Sequence, residues 1–335
     1  MTQDPDPFGV LRGHVASVNA VQFLTPTALL SGSGDGVVKL WDVSKRREIS
    51  GNTAHSKAGV LQIARISPCH FVTQGRDGFV RLWDTTRFSD QANPISSYYC
   101  GSFSFTKCAT MRSKSQAEAE FTQLVACPGS DFQEILVYDL RAGSTSPAIK
   151  MKIHGQARGM CMSLCIIQPS SRIANCTISK QYIVVGDEGG DIEIMDMRYG
   201  QYSLSKTEIS TEKNPVLAMD IVSKASRIIC GTSEQAIIGA ELDWDAPKFK
   251  CTSEIFRCNY GGIASISVRP DERIFATTGW DRRTRIFHAQ KLRPLAILKY
   301  HSDSVFDAAF SPDSKLLATG SKDKKIALWS IYQPD

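Results

Sequence analysis

Ser31-Gly32-Ser33-Gly34-Asp35-Gly36-Val37-Val38-Lys39-Leu40-Trp41-Asp42 is the stretch on which the fold turns. A hydroxyl residue stands ten positions before the tryptophan, and an aspartate stands six before it. The same order returns in Thr73-Gln74-Gly75-Arg76-Asp77-Gly78-Phe79-Val80-Arg81-Leu82-Trp83-Asp84. It returns again in Thr319-Gly320-Ser321-Lys322-Asp323-Lys324-Lys325-Ile326-Ala327-Leu328-Trp329-Ser330. Each copy has a histidine farther upstream: His14, His55 and His301. Gly34-Asp35-Gly36 and Arg76-Asp77-Gly78 read as tight hairpin turns. The alternation in Val37-Val38-Lys39-Leu40-Trp41 suits a half-buried strand.

Weaker copies fill the gap between the second and third. Gln133 to Asp139 ends in Tyr138-Asp139, and Gly186 to Asp196 ends in Met195-Asp196. Gly231 to Ala240 keeps the spacing, and Thr277 to Phe287 keeps Thr277 and Asp281. The aligned positions are 41, 83, 138, 195, 240, 287 and 329, at intervals of 42, 55, 57, 45, 47 and 42. A propeller blade takes about 40–45 residues. The two long intervals call for insertions, for which Met111 to Glu120 and Gln168 to Lys180 are the polar candidates. This is the WD-repeat pattern, and it predicts an all-β, seven-bladed WD-repeat β-propeller. Phe8-Gly9-Val10-Leu11-Arg12 has no hairpin partner upstream, and the last unit lacks an outer strand. The N-terminal strand is therefore expected to close the last blade and remove an exposed edge. Residues 1–7 read as a flexible N-terminus and 8–335 as one propeller domain.

The recurring residues have a structural reason. The indole N–H of Trp41, Trp83 or Trp329 can donate to the hydroxyl of Ser31, Thr73 or Thr319. The hydroxyl can bond His14, His55 or His301, and the histidine can bond Asp35, Asp77 or Asp323. Every buried polar group then has a partner. Ser, His and Asp invite a catalytic reading, but a set recurring at fixed spacing is a framework and not an active site.

The chain has 335 residues, 42% hydrophobic and 22% charged, with a formal net charge of +5. These values fit a globular protein and no nucleic-acid-coating one. Ten cysteines are scattered without C-x-x-C spacing, and His70, His154 and His288 lie outside any ligand or nucleophile motif. No catalytic residue, metal site or cofactor is expected. No run approaches the ~20 apolar residues of a membrane helix, and the N-terminus carries no export signal. With so many thiols, cytoplasm and nucleus are the expected compartments. Neither a membrane nor a directly bound nucleic acid is expected as partner.

A closer resemblance lies in the last third. Gly261-Gly262-Ile263-Ala264, Val268-Arg269-Pro270-Asp271 and Ala276 through His288 form one signature. Pro294 through His301 and Leu328-Trp329-Ser330-Ile331-Tyr332 continue it. Gln74-Gly75-Arg76-Asp77-Gly78 and Arg158-Gly159-Met160-Cys161-Met162 fit as well. The chain resembles the guanine nucleotide-binding protein subunit beta-like protein 1 family, which includes the fungal ASTRA-associated protein 1. Met195 departs from it, since relatives usually carry Trp there. The resemblance implies a non-enzymatic scaffold for protein–protein interaction, an adaptor in co-chaperone-assisted maturation of phosphatidylinositol 3-kinase-like kinases. The implied partners are a Tel2-type co-chaperone complex and an ASTRA-type chromatin-linked assembly.

A true heterotrimeric G-protein β subunit would pair a long N-terminal helix with a γ subunit. Strand patterning that starts by Phe8 leaves no place for that helix, so a monomeric propeller without γ subunit is expected. The alternative function is substrate receptor of a cullin–RING ubiquitin ligase. Tyr138-Asp139-Leu140-Arg141 and Met195-Asp196-Met197-Arg198 approximate its Trp-Asp-x-Arg signal, each without the Trp.

The partner site is expected at the turns joining second and third strands. The residue seven before each aligned position reads Gly34, Arg76, Asp131, Glu188, Ser233, Trp280 and Lys322. Arg282, Arg283, Lys324 and Lys325 add charge to blades six and seven. This end reads basic across blades six, seven and two and acidic across three and four, which would orient an elongated partner. Trp280 beside two arginines has the composition of an interface hot spot; the alternative is an indole stacked on an arginine of its own blade.

Overall fold

The computed structural model describes residues 5–101, 105–111, 124–153, 159–168, 181–198, 203–209, 212–244 and 246–331. Its strands form seven four-stranded antiparallel sheets. β1 (Gly9–Arg12) precedes the first blade, which is β2 (Val18–Thr25), β3 (Ala28–Ser33), β4 (Val38–Asp42) and β5 (Arg47–Asn52). The second is β6 (Val60–Arg65), β7 (His70–Gly75), β8 (Phe79–Asp84) and β9 (Ser96–Tyr99). The third is β10 (Ala109–Thr110), β11 (Leu124–Pro128), β12 (Glu134–Asp139) and β13 (Ile149–Lys152). The fourth is β14 (Cys161–Ile167), β15 (Tyr182–Asp187), β16 (Asp191–Asp196) and β17 (Ser203–Glu208). The fifth is β18 (Val216–Val222), β19 (Arg227–Thr232), β20 (Ala236–Asp243) and β21 (Lys248–Arg257). The sixth is β22 (Ile263–Val268), β23 (Ile274–Gly279), β24 (Thr284–His288) and β25 (Pro294–Leu298). The seventh is β26 (Val305–Phe310), β27 (Leu316–Ser321) and β28 (Lys325–Ser330), with β1 as its fourth strand.

The fold is thus a seven-bladed β-propeller, and its N-terminal strand completes the last blade. Gly9 pairs with Leu328 and Leu11 with Ile326. Each of the seven aligned positions lies on the third strand of its blade. All seven are buried, whatever residue they carry: Trp41, Trp83, Tyr138, Met195, Ala240, Phe287 and Trp329. The expected insertions fall on residues 112–120 and 169–180, outside the described residues, apart from Met111 and Gln168.

The chain forms two compact units with boundaries near residues 97 and 263. The first holds blades one, two, six and seven, and β9 crosses its boundary. Its core sits between neighbouring sheets. Trp41 packs with Leu11, Ile326 and Leu328 of blade seven, and Trp83 with Leu30, Val38 and Leu40 of blade one. Trp329 packs with Ile274, Ala276 and Ile286 of blade six. The sheets approach closely where a second strand carries glycine. A Cβ on Gly32 would lie 2.5 Å from Val60, and one on Gly320 would lie 2.8 Å from Val18.

The second unit holds blades three, four and five. Its clusters repeat the arrangement without tryptophan at the aligned positions. Met195 packs with Ile135, Val137 and Met151 of blade three, and Ala240 with Ile192 and Ile194 of blade four. The Tyr138 phenol donates to the Tyr99 carbonyl at 2.5 Å, so the buried hydroxyl finds a backbone acceptor.

Candidate functional site

The turn between second and third strands is one geometry used repeatedly. The residue five before the aligned position takes a left-handed φ in six blades: Gly36 (87°), Gly78 (80°), Gly190 (83°), Gln235 (72°), Arg282 (67°) and Lys324 (68°). Gly36 N–H donates to the Ser33 carbonyl at 3.1 Å, and Lys324 N–H to the Ser321 carbonyl at 3.1 Å. These are three-residue hairpin loops ending in a left-handed residue, the position where glycine is cheapest. In blades two, six and seven the aspartate before it turns inward and accepts the N–H two residues on. Asp77 accepts from Phe79 at 3.2 Å, Asp281 from Arg283 at 3.2 Å and Asp323 from Lys325 at 3.0 Å.

Behind these turns the framework residues meet. Trp41, Trp83 and Trp329 donate Nε1–H to Ser31, Thr73 and Thr319 at 2.7, 2.9 and 3.1 Å. Nε2 of His14, His55 and His301 reaches the same hydroxyls at 2.6, 2.8 and 2.9 Å. Nδ1 of His55 reaches Asp77 at 2.9 Å, and Nδ1 of His301 reaches Asp323 at 3.0 Å. Burial raises the Asp323 carboxyl but the His301 hydrogen bond and charge outweigh it, leaving it at about 2.

Blade one departs from the expected set. His14 Nδ1 is buried without a hydrogen bond, and Asp35 accepts from Ser33 instead. The physical reason is local: the Ser33 hydroxyl donates to Asp35, whereas Ser321, at the same spacing in blade seven, donates to the Asp303 carbonyl at 3.2 Å and leaves Asp323 to His301. Burial, then the Lys39 charge, hold the His14 imidazole down at about 4. Blade six departs further. The Phe287 ring has no N–H to give, and Thr277 Oγ1 is buried without a hydrogen bond. Phe287 instead stacks on Phe275, with centroids 5.0 Å apart. Arg285 takes the place of histidine, donating Nη2–H to Asp281.

The outward residues of the turns lie where the spacing expects them. Arg76, Trp280, Arg282, Lys322 and Lys324 are exposed, while Arg283 and Lys325 are half-buried. All belong to the first unit. Trp280 is 43% exposed. Ser304 joins the turns of blades six and seven: its hydroxyl donates to the Trp280 carbonyl at 3.2 Å, and its carbonyl accepts Lys322 N–H at 2.9 Å. Lys322 Nζ lies 3.6 Å from Asp303, and Lys325 Nζ sits 5.8 Å from the Tyr300 ring centroid. Of the acidic positions, Asp131 and Glu188 are exposed in the second unit.

Besides Arg285, sequence reasoning missed Asp307. Asp307 on β26 is buried and ties three blades together. It accepts Ser265 Oγ–H from β22 at 2.8 Å and Val21 N–H from β2 at 3.0 Å. The only sequence signal is a carboxylate at an inward position of an otherwise apolar strand, Val305-Phe306-Asp307-Ala308-Ala309-Phe310. The two Asp-x-Arg blade ends are closed on themselves: Arg141 reaches Asp139 at 2.9 Å and Arg198 reaches Asp196 at 2.6 Å.

Comparison with known proteins agrees with this geometry. The family described as WD domain, G-beta repeat matches residues 5–42, 249–288 and 292–330. The chain is similar to guanine nucleotide-binding protein subunit beta-like protein 1 of Mus musculus, 30% identical over 98% of this chain and 97% of that one. ASTRA-associated protein 1 of Schizosaccharomyces pombe is 27% identical over 98% of this chain and 99% of its own. The protein of that name in Schizosaccharomyces japonicus is 26% identical over 98% and 99%.

Proposed function

We propose that this chain, which belongs to the family of guanine nucleotide-binding protein subunit beta-like protein 1, holds other proteins together rather than transforming a substrate. The observation that carries this reading is the direction of its polar residues. Ser31, Thr73 and Thr319 have no exposure at all, and each is held by an indole and an imidazole. A nucleophile must reach its substrate; these hydroxyls sit behind a sheet. The residue before each turn aspartate, Gly34, Arg76, Trp280 or Lys322, is exposed instead, as a binding surface requires, and in blades six and seven so is the residue after it.

The finer role is an adaptor in co-chaperone-assisted maturation of phosphatidylinositol 3-kinase-like kinases, or in an ASTRA-type chromatin-linked assembly. The chain works as a monomeric propeller in cytoplasm and nucleus, with a Tel2-type complex as partner. The names of the two fission-yeast relatives, matched end to end, support the second arm of this reading. Its contacts are assigned to the turn residues Arg76, Trp280, Arg282, Arg283, Lys322, Lys324 and Lys325.

Affinity purification of the tagged chain from its own cells, read by mass spectrometry, tests the proposal. Kinase-maturation or ASTRA components are the expected catch. Recovery of a cullin and its adaptor in their place would overturn the finer role in favour of a ligase receptor. Failure to retain any protein above background would overturn the scaffold reading itself.

A further inference from the structure

We infer that the turns of blades six and seven form one docking surface for an acidic, extended peptide segment carrying an apolar side chain. The inference rests on the scaffold reading above and names the chemistry of what the scaffold holds. Four observations converge on it, all within the first unit.

The two turns are one surface because Ser304 joins them, touching the Trp280 carbonyl with its hydroxyl and the Lys322 N–H with its carbonyl. The surface is more basic than its sequence. Trp280-Asp281-Arg282-Arg283 and Lys322-Asp323-Lys324 each carry an aspartate at the centre, yet both carboxylates are turned inward. The Asp281 side chain is 6% exposed and held by Arg285, and that of Asp323 is 4% exposed and held by His301. Among the described residues of the two turns and of the loop before β26, only Asp303 presents an exposed carboxylate, 3.6 Å from Lys322.

The cations also stand where a framework would not put them. Blades one, two and four place glycine at the left-handed turn position and blade five places Gln235, while blades six and seven place Arg282 and Lys324 there, at φ 67° and 68°. A long cation gains nothing from that backbone conformation and is tolerated against its preference. Strain kept at an exposed charged position points to a use for the charge. Finally, Trp280 stands beside these cations, 43% exposed. Indole with flanking cations takes an apolar side chain and neighbouring carboxylates together. A single-stranded nucleic acid would stack successive bases on several rings, and these turns offer one.

The test is direct binding of a fluorescently labelled peptide of alternating glutamate and leucine to the purified full chain, followed by anisotropy. Binding is expected to weaken about tenfold when glutamine replaces glutamate, and again in high salt. Trp280→Ala is expected to lose about tenfold as well. The paired variant Arg282→Gly with Lys324→Gly removes both cations while giving each turn the residue that blades one, two and four use. It is expected to lose about tenfold in binding while its unfolding temperature holds or rises. Equal affinity for the glutamine peptide, or wild-type affinity in the paired variant, would overturn the inference. So would a labelled single-stranded oligonucleotide that displaces the peptide and loses affinity in the same variants. The two readings fail separately. If the paired variant still captures the cellular partner, this surface is wrong and the scaffold stands. If the unaltered chain captures none, the scaffold itself falls.

Discussion

At the scale of the residue, blades two and six are a natural comparison of the same buried threonine. Thr73 Oγ receives Trp83 and meets His55, while Thr277 Oγ1 is buried without either. A buried hydroxyl without a partner keeps its desolvation cost and returns nothing. Thr277→Val is therefore expected to be neutral or to stabilise by about 1 kcal/mol, whereas Thr73→Val, which strands an indole N–H and an imidazole, should cost about 2 kcal/mol. Urea unfolding of the two variants checks this, and equal losses would refute it. His14 makes a second case. Its imidazole is held at about 4 against an ordinary 6.5, first by burial and then by Lys39. A histidine with a depressed folded-state pKa contributes fully above 6.5 and loses that contribution as pH falls toward 4, because the unfolded chain binds the proton first. The urea midpoint of the unaltered chain should thus fall more steeply between pH 6.5 and 4 than that of His14→Gln. Parallel slopes would show that His14 titrates as an exposed imidazole.

At the scale of the element, the strands and turns were legible and their chemistry was only partly so. Spacing alone placed all seven aligned positions on third strands, including Met195, Ala240 and Phe287, because burial at that register tolerates any apolar residue. The same spacing could not tell that Asp35 would bond Ser33 rather than His14, since that choice depends on local distances. Nor could it find Arg285 standing in for histidine, which reaches Asp281 from four residues downstream, on the strand that leaves the turn, rather than from upstream. The left-handed turn residue was hidden for a similar reason: a glycine there announces itself, and an arginine or lysine does not. The conformation costs a non-glycine residue about 1 kcal/mol. That is why the glycine variants at 282 and 324 should hold or gain stability while losing charge. Glycine in blade one answers to a second constraint, since a Cβ at Gly36 would sit 1.7 Å from the His55 carbonyl oxygen.

At the scale of the whole molecule, repeats that look alike are not joined alike. Within the first unit, Asp307 gathers β22, β26 and β2 through Ser265 and Val21. Asp307→Ala leaves a buried hydroxyl and a buried N–H without acceptor and is expected to cost about 2–4 kcal/mol. Asp307→Asn, which keeps one acceptor, should cost less. Equal losses in chemical denaturation would mean that the carboxylate is not what joins these blades. No repeat pattern reports such a residue, because it serves three strands at once. The pairing of β1 with β28 carries a different consequence. Gly9 and Leu328 meet across more than 300 residues of chain. A ribosome adding about 5–20 residues per second needs roughly 15–60 s to bring the second after the first. Throughout that interval Leu11, which ends 1% exposed, lacks Ile326 and Leu328, the part of its cover that blade seven supplies. Every newly made copy therefore passes its synthesis with β1 unpaired, an open edge on which another chain's strand can add.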